Sequence, residues 1–228
     1  MELVDTREII ANVMVDRQSV QDVNNVLLKP REIKKVCYIV ISSDKGLSGA
    51  FNVNVQKALK EKINSLDSNI DYVVCPLGLK AYYFVKKNNY HIYKDQIMNI
   101  RDDVEFEEYI PFIKKLIIGY MLGDFDEVKV IYNHYINTLN QVVQETKLLP
   151  IVEFGQPKEI KSYEFDGDVE SILNTILPIY VQNLLYGLIL DSKASEHASR
   201  MNSMKKATDN ASEIVEKLEL LYNRARQS

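Results

Sequence analysis

Residues 34–66 read KKVCYIVISSDKGLSGAFNVNVQKALKEKINSL, and this stretch decides the fold. Its first part, Lys34 to Ser42, is a β-rich apolar run without alternation, the pattern of a strand buried on both faces of a parallel sheet. Its last part sets Val55, Leu59, Ile63 and Leu66 at helical spacing. Between them SSDKGLSGAFN, Ser42 to Asn52, turns the chain from strand to helix. Glycine turns at this place often hold a phosphate against the helix N-terminus, so the turn either binds an anion or only makes a corner. Its spacing is GxxG at Gly46-Leu47-Ser48-Gly49, neither GxGxxG nor GxxxxGK[ST]. Ser48 is followed directly by Gly49, so it is not GxSxG, and Cys75-Pro76 stands where an acid would meet a ribose. Gly46 and Gly49 are therefore read as a structural turn that supplies positive φ and close packing. Weak phosphate binding is the competing reading.

Working outward, DYVVCPLG is a second strand and GLKAYYFVKKN a helix whose lysine-rich end suits its dipole. YHIYK is expected to be a short third strand. Asp102 or Asp103 is expected to cap a helix over roughly Val104 to Leu122, ended by Gly123, with Pro111 an oddity inside it. EVKVIYNHYIN, from Glu127, and QVVQETKLLPI are expected to pair as a hairpin. Strands alternating with helices predict an α/β, Rossmann-like domain with a mostly parallel sheet and an antiparallel edge, about Lys34 to Ile151.

The last 60 residues are rich in helix formers. Asp168 is a plausible N-cap, and Pro178 divides or kinks the start of the helix. A helix from Pro178 to Gln227 would be about 75 Å long, so it must leave the globular body. Met204, Ala207, Ala211, Ile214, Leu218, Leu221 and Ala225 are spaced 3, 4, 3, 4, 3, 4, a coiled-coil seam that needs a partner. An N-terminal helical segment, LVDTREIIANVMVDRQSV, is long enough to cover only the turns nearest the domain. The far end is expected to fray or to pair with a second copy.

The 228 residues carry a net charge of −4 with lysines and arginines scattered among acids, which argues against a nucleic-acid partner. Cys37 and Cys75 lie in apolar runs and read as buried thiols, and His91, His134 and His197 match no ligand spacing. No metal or cofactor site is expected, and no nucleophile is paired with a base, so no catalytic residue is assigned. MELVDTREII is not a signal peptide. Ile176 to Leu190 is too short for a membrane span and holds Pro178, Gln182 and Asn183. A soluble, cytoplasmic protein is expected. SRMNSMKKATDN, Ser199 to Asn210, reads as a solvated helix face or as an interface with two adaptable methionines.

Three strings carry a family resemblance. SEHASRMNSMKKATDNASEIVEKLELLYNRARQ resembles the C-terminal helix of the gamma subunit of F-type ATP synthases. ISSDKGLSGAFNVNV resembles that family's first strand, turn and helix, which usually reads SD[RK]GLCGxxN, with Ser48 here in place of the more common Cys. YNHYINTLNQVVQETKLLPI resembles its later strand pair. The resemblance implies a non-catalytic central-stalk rotor, coupling rotation of a membrane ring of c subunits, and so ion transport, to ATP synthesis or hydrolysis on the beta subunits. It implies no cofactor, and as partners the alpha, beta and epsilon subunits and the membrane ring. It also implies a place on the cytoplasmic face of the cell membrane. Arg226 and Gln227 match the family's pair that meets a beta-subunit loop, and Tyr163 to Phe165 align with the loop facing the ring and the epsilon subunit. Residues 1–33 are then an N-terminal helical remnant and linker, 34–165 the α/β foot, and 166–228 the shaft helix. The family's long Lys- and Met-rich first helix is mostly missing, as is a segment after the Arg-Gln pair, so a truncated form lacking most of the shaft is expected, one that would not couple rotation by itself. A small-ligand or nucleotide-binding α/β module is the alternative.

Overall fold

The computed structural model describes residues 25–95, 98–103, 105–151 and 169–227. Four strands form one sheet in the order β2-β1-β3-β4. β1 (Lys35–Ile41) is central and parallel to both β2 (Asp71–Leu77) and β3 (Glu127–Tyr135), while β4 (Gln141–Leu149) closes an antiparallel hairpin with β3. The expected parallel sheet with an antiparallel edge is what forms. β1 lacks polar alternation because both of its faces are covered. Val36, Tyr38 and Val40 face a cluster with Val55 and Leu59 of α1 (Phe51–Asn64) and Ala81 and Val85 of α2 (Leu79–Lys87). Cys37, Ile39 and Ile41 face the opposite cluster, built with α3 (Phe106–Leu122) and α4 (Val169–Gln227).

Two sequence expectations shift. YHIYK is not a strand: Ile92 makes one isolated bridge to Val74, and Tyr93–Asp95 form a 3-10 turn with Lys94 at φ 51°. That turn carries the Tyr93 hydroxyl to Asp124, 2.6 Å away, and this contact takes the place of ladder pairing. α3 begins at Phe106 behind an extended Glu105 and is not capped by Asp102 or Asp103. The Asp102 carboxylate is instead committed to two lysines, described below. Gly123 ends α3 in the left-handed conformation, at φ 83°, as expected. Pro111 sits within α3 on its exposed face.

α4 is one element of 59 residues, about 90 Å long at 1.5 Å per residue, and it runs unbroken through Pro178. Its first half belongs to the core: Leu173, Leu177, Val181, Leu185 and Ile189 recur every four residues and are buried against the sheet and α3. The most apolar stretch of the chain thus carries the covered stripe of a core helix, although α4 as a whole is long and apolar enough to cross a membrane by length and composition alone. From Met204 onward every described side chain is exposed, including the seam residues Ile214, Leu218 and Leu221. The helix continues to Gln227 with that seam uncovered, contrary to the expected fraying. The N-terminal helical segment and Asp168 lie outside the described residues, as do Tyr163 and Phe165.

Cys37 and Cys75 are fully buried on neighbouring strands with their sulfurs 3.5 Å apart. The register sets Cys37 opposite Val73 and Ile39 opposite Cys75. This diagonal places their Cα atoms about 8 Å apart from the strand spacing and rise, too far for a bridge without backbone movement. They pack as thiols, and burial holds the Cys37 thiol well above its usual pKa.

Candidate functional site

In an open α/β sheet, ligands bind beyond the carboxyl ends of the strands, beside the point where strand order reverses. Here that point lies next to β1, and the turn Ser42 to Asn52 occupies it. Three consecutive residues of the turn fill the N-terminus of α2. Asp44 accepts from the Leu79 N–H at 2.8 Å, the Ser43 carbonyl from Lys80 N–H at 3.1 Å, and the Ser42 hydroxyl from Ala81 N–H at 2.7 Å. The orphan donors of α2 are thus satisfied by the chain itself, while α1, which follows the glycines, starts without a side-chain cap. Asn52 at the start of α1 reaches back to accept from the Ser43 N–H at 3.0 Å and ties the two ends of the turn together.

Gly49 takes φ 57°, as the turn reading expects, but the room it leaves is used by α4 and not by α1 packing on the sheet. A Cβ there would come 2.7 Å from the Ser203 hydroxyl. Ser199 also donates to the Ser48 carbonyl at 2.6 Å. Gly46 has no positive φ and no neighbour within 4 Å of where a Cβ would stand. The long helix therefore crosses the mouth where a nucleotide would enter.

Beside the turn lies an ion-pair network that sequence reasoning missed. Lys193 of α4, only 7% exposed, places its ammonium 3.0 Å from Asp102, 2.9 Å from Glu196 and 3.4 Å from the Ile100 carbonyl. Asp102 also meets Lys45 of the turn, and Glu196, 1% exposed, also meets Arg200. Lys45, Ile100, Asp102, Lys193 and Glu196 line an open hollow of about 270 Å³ together with Asp44, Arg101 and Asp103. Its seven side-chain charges are four carboxylates against three cations, so it offers no net attraction to a phosphate. Four residues apart on a helix, Glu196 and Arg200 look in sequence like an ordinary solvated pair; only the placement of Asp102 shows that the neighbouring Lys193 is buried.

The lysines hold Asp102 well below the usual carboxylate range, the Lys45 hydrogen bond first and the Lys193 bond second. At the far end of the sheet, burial raises Glu127, but Lys147 at 2.6 Å and Lys129 at 2.9 Å outweigh it and leave that carboxyl lowered. A carboxylate with a depressed folded pKa stabilises the fold above its unfolded value, near 4, and loses that contribution as pH falls through the folded value. The urea midpoint is therefore expected to be flat above about pH 5 and to fall below about pH 4. The fall should be shallower in Glu127→Gln; an identical fall would show that Glu127 is not among its causes.

Comparison with known proteins places the sequence in a family. A family model described as ATP synthase matches residues 4–228. The ATP synthase gamma chain of Macrococcus caseolyticus is 40% identical over 91% of this chain and 73% of its own length. That of Staphylococcus saprophyticus is 44% identical over 89% and 71%. The chain belongs to the ATP synthase gamma-chain family. Two solved structures share its fold: the central stalk of the Tetrahymena thermophila mitochondrial ATP synthase, and the rotor of the Euglena gracilis enzyme. The first has TM-score 0.61 and 22% identity, over 91% of this chain and all of that one. The second has TM-score 0.62 and 17% identity, over 98% and 91%. Of the partner residues that the gamma-chain resemblance assigns, Arg226 and Gln227 stand exposed on the last turn of α4.

Proposed function

We propose that this chain is the rotor subunit of an ATP synthase central stalk, without a catalytic site of its own. The observation that carries the reading is α4: half of it is buried in an α/β body whose usual ligand mouth is closed, and half is a bare helix with an apolar seam. Residues 34–165 serve as the foot, with 1–33 leading into it, and 166–228 as the shaft helix, whose root is embedded in the foot. The foot rides on the membrane ring and the epsilon subunit, through Tyr163 and Phe165. The shaft turns within the alpha–beta ring, where Arg226 and Gln227 meet a beta-subunit loop. Rotation then links ion movement to ATP synthesis or hydrolysis on the beta subunits, at the cytoplasmic face of the cell membrane.

Affinity-tagged chain, expressed with the alpha, beta and epsilon subunits, is expected to co-purify with an alpha–beta ring and with epsilon. Recovery of neither, even with the family's long first helix restored, would overturn the proposal. In calorimetry the isolated chain is expected to give no heat with ATP, ADP or NAD at micromolar to millimolar ligand. Micromolar binding abolished by Gly49→Val would favour a nucleotide-binding module instead.

A further inference from the structure

The contacts of α4 change character along its length. From Leu173 to Ile189 it meets the sheet through apolar side chains, whose attraction has no direction. Between Asp191 and Asn202, where it leaves the foot, polar groups take over and reach three separate pieces of the body. Asp191 accepts from the Tyr135 N–H at 2.8 Å and meets His134 Nδ1 at 2.6 Å, and Asn202 donates to the Thr138 carbonyl, so both hold the β3–β4 hairpin. Ser199 donates to the Ser48 carbonyl in the turn. Lys193 pairs with Asp102 in the segment before α3. At about 100° per residue, Asp191 and Asn202 point within about 20° of each other, with Ser199 about 80° and Lys193 about 200° away from Asp191. Directional bonds therefore grip the helix from opposite sides within three turns of its exit.

We propose that this polar collar of Asp191, Lys193, Ser199 and Asn202 fixes the angle of α4 about its own axis, so that rotation of the foot reaches the shaft without slip. The proposal rests on the rotor reading above. The four are positioning residues. Apolar packing alone could let the helix settle at a neighbouring angle, because ridges re-seat in adjacent grooves; the collar's bonds fit only one.

The test uses an ATP synthase assembled with this chain extended by the shaft segments of a gamma-chain relative, which this chain spans to 73%, with the alpha–beta ring immobilised and a bead attached to the foot at Lys60→Cys, an exposed site on α1. Torsional stiffness is read from the angular fluctuations of the bead. Asp191→Ala with Asn202→Ala removes the hairpin side and is expected to lower stiffness roughly threefold. Ions pumped per ATP hydrolysed should fall about twofold, while the thermal midpoint of the isolated chain moves by less than about 5 °C, since both side chains are part-exposed. A disulfide between Thr138→Cys and Asn202→Cys, built into the Asp191→Ala chain, should restore stiffness. Unchanged stiffness in the double variant would overturn the collar, and so would a disulfide that restores nothing. If the double variant fails to assemble, Ser199→Ala is measured in its place, with a drop in stiffness expected and an unchanged value overturning the proposal. A wild-type complex whose bead does not turn under ATP would overturn the rotor reading instead.

Discussion

Gly78→Ala is expected to destabilise the chain by about 4 kcal/mol, lowering its thermal midpoint by roughly 10 °C. Gly78 stands between β2 and α2 at φ 89° and ψ 145°, a conformation essentially reserved for glycine. A Cβ there would lie 2.3 Å from the Ser42 carbonyl oxygen and 2.8 Å from the Ser42 hydroxyl. Neither can retreat. The Ser42 N–H is bonded to the Leu77 carbonyl at 2.9 Å, and its hydroxyl accepts from Ala81 at 2.7 Å while capping α2. The backbone cannot rotate out of the way either, because the Gly78 N–H is bonded to the Met98 carbonyl at 2.8 Å. Strain of about 1–3 kcal/mol from the backbone and a similar cost of overpacking combine in one residue. Gly46→Ala is the control: its site is open, its φ is ordinary, and a change within about 0.5 kcal/mol is expected. Thermal melts of the two variants decide the matter. Equal midpoints would mean that the junction of β1 and β2 yields where the contacts say it is rigid.

Gly78 also shows what was legible in the sequence and what was not. It closes DYVVCPLG and opens GLKAYYFVKKN, and the sequence marks it only as that junction, because the contact that demands a glycine comes from Ser42, 36 positions away. What could be read was what is local. The uniform apolar run of β1 announced burial on both faces, Gly123 announced the end of α3, and the two extended segments after Glu127 announced a hairpin. In each case the residue type and the backbone it requires are neighbours in the chain. The misread elements are those where a distant partner won. Ile92 and Tyr93 have strand propensity, but the bond from Tyr93 to Asp124 draws the chain into a 3-10 turn. Asp102 had the position of an N-cap, but two lysines from other segments claimed it. The turn Ser42 to Asn52 was legible as structural from its spacing. That Ser42, Ser43 and Asp44 act by filling the N-terminus of α2 was not, since no pattern in SSD names the helix it caps. The 3-4 seam of α4 was plain because it repeats on one element. The change from apolar to polar contacts at Asp191 was hidden, since half-buried and solvated polar positions look alike in a helix.

Lys193→Met is expected to cost about 3 kcal/mol, a loss of roughly 6–12 °C in thermal midpoint, although it puts an apolar side chain of similar size at a buried site. The ammonium is held by Glu196, Asp102 and the Ile100 carbonyl. Deleting it leaves Glu196, almost wholly buried, with Arg200 alone, and Asp102 with Lys45 alone. The cost sits at the lower end of what breaking a buried pair entails, because each carboxylate keeps one cation. Removing the buried charge as well should reverse most of the loss: Lys193→Met with Glu196→Gln is expected to lie within about 1.5 kcal/mol of wild type, since Arg200, with 23% of its side chain exposed, can turn to water. Lys45→Ala, at a side chain 69% exposed, should barely move the midpoint although it meets the same Asp102. If single and double variants lose equally, burial of Glu196 is not what makes Lys193 costly to remove. If Lys45→Ala matches Lys193→Met, the network is a surface cluster. The predicted order, Lys193→Met well below the double variant and Lys45→Ala near wild type, would mean that the root of the long helix is bound to the foot by a desolvated charge. Such a bond is screened by salt far less than a surface pair.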